Sequence, residues 1–97
     1  MREVCITDTA KSDIEFIATF LETNHSNKAK VNFLVKLSEK LLFVEKAPFM
    51  YPASPKNPQI RRCVVQKNVI CFYEVSDTTI YVLSVLDSRQ DPENNKF

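Results

Sequence analysis

The hydrophobic and polar positions of this chain follow two periodicities, one in each half. In the last third, apolar residues alternate or run unbroken through Val69–Val75 and again over 80–86, with Ser76, Asp77, Thr78 and Thr79 as a polar turn between them. Runs rich in Val, Ile, Tyr and Phe predict strands, and so short a turn predicts an antiparallel hairpin. Another run over 60–65, set off by Gln66, Lys67 and Asn68, predicts a third strand paired in the same sense.

The first half carries helical spacing. Ala10, Ile14, Ile17, Ala18 and Leu21 stack on one helix face, and Phe16 and Phe20 widen that stripe. Asp8, Thr9 and Ser12 are candidate caps, Ser12 with Glu15 matching a capping box. Polar residues 23–27 end this helix. A second is predicted over 28–45, with Val31, Leu34, Val35, Leu41 and Leu42 on one face and Lys30, Lys36 and Lys40 toward solvent. The short connection predicts an antiparallel helical hairpin. Residues 4–7 alternate as a short strand would. Pro48, Pro52, Pro55 and Pro58 stiffen a loop that Phe49, Met50 and Tyr51 are expected to anchor on the core edge. The layout is β-α-α-β-β-β, an α+β domain over residues 1–97 with the helical hairpin on one face of an antiparallel sheet.

Composition narrows the chemistry. With 97 residues and 44% hydrophobic content, the chain supports one core. It has no glycine, which excludes a phosphate loop or dinucleotide fingerprint and leaves the turns to Asn, Asp, Ser and Pro. No apolar run reaches the about 18 residues of a membrane span, and residues 1–5 lack a signal peptide's apolar stretch. The chain is therefore expected to stay in the cytoplasm, with Cys5, Cys63 and Cys71 as small buried hydrophobes in a reducing compartment. No cofactor is implied. Asp87 and Asp91 on a tail without further ligands do not suggest a metal site.

The net charge of +1 hides an asymmetry. Residues 28–67 hold nine basic and two acidic side chains, +7, between flanks of −3 each. The middle third is either the footprint of an acidic partner or a solvated lysine-rich helix face. Phe33 and Phe43 exceed what one helix stripe can bury and are expected to be exposed beside Lys36 and Lys40, a surface for an ordering acidic and aliphatic peptide. Arg61 and Arg62 point to opposite faces of their strand. Lys67 lies in a turn, Tyr73 is expected at the core with its hydroxyl at the rim, and His25, in a loop, reads as a polar surface residue. Arg89 offers a planar donor set to a carboxylate or phosphate, or pairs with Asp87 or Asp91 on the surface. A sheet with its charges at one end and on a tail suggests a surface for a macromolecule, not a small-molecule pocket.

Order and spacing carry a resemblance. Ile6, Thr7, Ala10, Ile14 and Ile17 come first; then Pro48, Tyr51 and Pro52; then Arg61-Arg62 before Ile70-Cys71-Phe72-Tyr73-Glu74-Val75; last Ile80-Tyr81-Val82-Leu83 and residues 87–92. Together these resemble the RelE/ParE superfamily of bacterial toxins from type II toxin–antitoxin modules, in its ParE, or plasmid-stabilisation, branch, over nearly the whole chain. ParE-like members inhibit DNA gyrase. RelE-like members are ribosome-dependent mRNA endonucleases, working with basic side chains and a proton-transfer group. The resemblance implies a cognate antitoxin as partner and no sequence-specific DNA binding. Nuclease members commonly carry an arginine before the central strand's tyrosine and a histidine after the last strand. This chain has neither, and Asp87 stands where the histidine would be. The gyrase reading assigns Arg62, Lys67, Asp87, Arg89 and Gln90 to the target surface. The ribonuclease alternative would use Arg61, Arg62, Tyr73 and Arg89. A further alternative is a non-toxic member of the fold acting as an interaction module.

Overall fold

The computed structural model describes residues 2–89. Its elements run β1 (Glu3–Ile6), α1 (Asp8–Asn24), α2 (Asn27–Lys46), β2 (Ile60–Gln66), β3 (Val69–Val75) and β4 (Thr79–Asp87). The two helices cover one face of a four-stranded sheet ordered β1-β4-β3-β2. The three later strands are antiparallel neighbours, whereas β1 lies parallel to β4, with Glu3 opposite Thr79 and Ile6 opposite Val82. The sheet is thus mixed rather than wholly antiparallel: the helical hairpin carries the chain from β1 to β2 at the opposite edge, and the meander steps back until β4 lies parallel to β1. No helix among the described residues is long and apolar enough to cross a membrane.

The core lies between hairpin and sheet. Ala10, Ile17 and Leu21 of α1 and Phe33, Leu37 and Val44 of α2 meet Cys63, Val69, Cys71, Tyr73, Ile80, Val82 and Val85 of the sheet. Helix α2 therefore buries a different face from the one expected. Leu41 packs against the core, but Val31, Leu34, Val35 and Leu42 are exposed, and Phe33 is fully buried rather than exposed. Phe16 is 64% exposed and does not widen the α1 stripe. The three thiols are free, Cys5 being exposed and the others buried. Burial and the neighbouring Cys63 push the Cys71 thiol up to about 12, so it stays protonated.

Both helices start at a hydroxyl. Ser26 caps α2, accepting from the Ala29 amide at 3.0 Å. Thr7, not Ser12, caps α1: its hydroxyl accepts from the Ala10 amide and donates 2.8 Å to the Val82 carbonyl. One side chain thus closes the helix and ties it to β4. Asp13 makes a second tie, its carboxylate accepting from the Ser84 hydroxyl (2.8 Å) and the Val85 amide (3.0 Å) beside the β3–β4 register shift.

The proline loop runs back along the outer edge of β2. An isolated bridge joins Ala53 to Arg61, and the Arg62 amide donates to the Pro52 carbonyl at 3.0 Å. This covers an edge whose unpaired amides and carbonyls would otherwise face solvent. Of the expected anchors only Tyr51 packs on the core; Phe49 and Met50 are exposed. Phe49 is held instead between two guanidinium groups, Arg2 at 5.3 Å and Arg61 at 5.0 Å from its ring centre.

Candidate functional site

Segments far apart in sequence meet where the helical hairpin turns. His25 comes from the α1–α2 connection, Ala29, Asn32 and Lys36 from α2, Gln66 and Lys67 from the end of β2 and its turn, and Arg89 from just beyond β4. With Leu21 they line an open cavity of about 350 Å3. Two backbone features bring Arg89 there. Asn68 takes φ 69°, the left-handed conformation that glycine would otherwise supply. Its carbonyl then accepts from the Ser88 amide at 2.8 Å, pinning the end of β4 to the β2–β3 turn.

Asp87 sits directly behind this wall. Its register partner is the fully buried Val69, so its side chain points to the helix-covered face, fully shielded from solvent. The Arg89 guanidinium grips it with both arms, Nε at 3.1 Å and Nη2 at 2.8 Å, and the Arg89 amide adds a third bond at 2.9 Å. Burial alone would push the Asp87 carboxyl up, but the Arg89 hydrogen bonds and charge outweigh it and hold the carboxyl below its ordinary range. The same hydrogen bond raises Arg89 above its ordinary value. The planar donor set expected to meet a target is thus already engaged by Asp87.

The other sequence candidates are dispersed. Lys67 and Lys36 line the cavity with Arg89, and neither has an acidic partner among the described residues. Arg62 pairs in register with Phe72, on the opposite sheet face from Arg61 and Tyr73. Arg61 donates to the carbonyls of Phe49 (3.2 Å) and Tyr51 (2.7 Å), stapling the loop to β2. The buried Tyr73 hydroxyl donates to the Pro48 carbonyl at 2.6 Å, and burial pushes the phenol well above its usual range. Lys40 is half-buried, its charge acting on Cys63. Phe43 is 56% exposed and shares a shallow apolar groove with Leu42, between Glu39 and Lys46. Gln90 lies outside the described residues. Among the described residues, no three His, Cys, Asp or Glu side chains gather as a metal site would need.

Sequence reading passed over His25, Asn32 and Gln66 as site residues. No sequence signal marks them, since only the fold brings the hairpin turn beside residue 67.

Two helices on one face of a β1-β4-β3-β2 sheet make a RelE/ParE-like α+β fold. The family model described as "ParE toxin of type II toxin-antitoxin system, parDE" matches residues 4–92, and the chain belongs to that family. Among solved structures, the chromosomal ParDE system of P. aeruginosa is similar at TM-score 0.77 and 13% identity, covering 90% of this chain and 96% of that one. A copper-bound mutant toxin from Helicobacter pylori is similar at TM-score 0.64 and 18% identity, over 94% and 99% of the two chains. YafQ from E. coli is similar at TM-score 0.64 and 11% identity, over 93% and 97%. At such identities these likenesses show a shared fold. No curated protein matches the chain.

Proposed function

We propose that this chain is a toxin that inhibits DNA gyrase by binding, in a bacterial cytoplasm, and that a cognate antitoxin neutralises it. One observation supports binding over RNA cleavage. Three of the four side chains that a ribonuclease here would use are committed to structural partners: Tyr73 to Pro48, Arg61 to the Phe49 and Tyr51 carbonyls, and Arg89 to Asp87. Acid–base cleavage of RNA needs a free proton-transfer group beside the phosphate, and a phenol pushed above its usual range serves badly. A binding inhibitor needs only a stable surface. Lys67 and the outer edge of Arg89 would contribute to it, with Arg62 and Gln90 the further candidates.

The antitoxin surface in this reading is the outward face of α2. Val31, Val35 and Leu42 form an exposed stripe opposite the core, with Phe43 and its groove at one flank. Lys46 in the groove and Lys36 beyond Phe43 suit an acidic, aliphatic segment that orders on binding, whereas Lys40, expected to join them, lies on the core side of the helix.

A supercoiling assay with purified gyrase tests the proposal. The expected result is inhibition, relieved when the product of the neighbouring reading frame is added. Ribosome-dependent mRNA cleavage in a purified translation system, abolished by Arg62→Ala, would overturn it and favour the ribonuclease alternative. A chain that arrests no growth and captures no neighbour would favour the non-toxic interaction module.

A further inference from the structure

The cavity at the hairpin turn is more specific than a basic patch. Its three cations, Lys36, Lys67 and Arg89, arrive from three separate elements, and no carboxylate lines its wall. Asp87 stands behind Arg89 and is spent on it, so neither lysine of the lining has an acidic partner among the described residues. Cations around a concavity hold a small anion better than the same cations on an open face, because the low-dielectric wall focuses their field. The remaining lining is of another kind. The His25 ring, set edge-on to Phe20 at 6.1 Å, offers a flat surface beside Leu21 and Ala29. Asn32 and Gln66 present side-chain amides, each able to donate and accept. A volume of about 350 Å3 lies at the small end of ligand sites.

We propose that this cavity binds a phosphate monoester carried on a nucleoside-sized body. Lys36 and Lys67 neutralise the two charges of the monoester, and the exposed edge of Arg89 adds a donor to it. The base lies against His25 and the apolar floor, with the amides of Asn32 and Gln66 at its edge. A monoester fits better than an internal phosphodiester, which carries one charge and must continue past the site on both sides. The ligand comes either as a free 5′-nucleotide or as the 5′-phosphorylated end of a strand.

Calorimetric titration of the full chain distinguishes these sources and tests the site. The probes are AMP, adenosine, a short single-stranded DNA bearing a 5′-phosphate, and the same strand with a 5′-hydroxyl. The expected result is that AMP or the phosphorylated strand binds at least about tenfold tighter than its unphosphorylated counterpart. Binding of AMP identifies the free nucleotide as sufficient, and binding of the phosphorylated strand alone identifies the strand end. Lys36→Ala and Lys67→Ala should each weaken binding by about tenfold, whereas Lys11→Ala, on exposed α1 surface, should not. Both cavity lysines are exposed, so melting temperature should hold in either variant. AMP binding no tighter than adenosine together with equal binding of the two strands, no binding of any phosphorylated probe, or insensitivity to both cavity substitutions would overturn the proposal. Neither gyrase nor antitoxin enters the titration, so its result stands apart from the gyrase assay.

Discussion

Asp87 is the one fully buried acid among the described residues, and it keeps its charge because Arg89 surrounds it. The pair links pH to stability with a definite sign. The folded carboxyl titrates below its ordinary value of 3.8, so in acid the unfolded chain takes up this proton first. The stabilisation is complete above the ordinary value and is lost as pH falls through the folded one. Asp87→Asn should therefore flatten the acid limb of the stability curve below about pH 4 in urea titrations. Arg89→Ala leaves a buried carboxylate with only a backbone amide, and should lower stability by about 1–2 kcal/mol. The low end of the usual range applies because the guanidinium is half exposed. Tyr73→Phe tests the other commitment: it strands the Pro48 carbonyl, should lower the urea midpoint by an amount equivalent to about 1 kcal/mol, and should leave the proposed binding surface at Lys67 and Arg89 intact.

Helix α2 shows why elements were legible and faces were not. Its existence follows from composition and from caps, and its observed bounds lie within one residue of those expected. Its buried face does not follow, because two apolar stripes share one spacing. Phe33, Leu37 and Val44 sit at i, i+4 and i+11, and so do Val31, Val35 and Leu42. Periodicity alone cannot choose between them; packing against the buried face of the sheet does. The α1 cap was missed for a related reason, since Thr7 gains over Ser12 from a bond to a strand 75 residues away. The cavity was illegible because its walls meet only after Asn68 pins the end of β4. Substitutions can separate the two stripes. Phe33→Ala should cost about 3–5 kcal/mol, read in denaturant unfolding. Val35→Lys should leave stability within about 0.5 kcal/mol and abolish copurification with the antitoxin.

At the scale of the whole molecule, β1 lies beside the last strand, and that placement orders events in time. The Arg2 side chain and the Glu3 amide bond to residues 76 and 78, and Thr7 bonds to 82, so the first strand has no sheet neighbour until those residues are made. Loops that long must close before such contacts return any energy, which slows folding relative to hairpins closed locally. The helical hairpin and the β2–β3–β4 meander can form first, and the seam between β1 and β4 is then the final step. Weakening that seam, as Val4→Ala in β1 would, should speed unfolding in stopped-flow experiments and scarcely change the folding rate. The seam between β1 and β4 thus stays open until residues 76–87 exist, whatever the rest of the sheet has done. A chain cut short before β4 would therefore lack the neighbour of its own first strand and could not close the sheet.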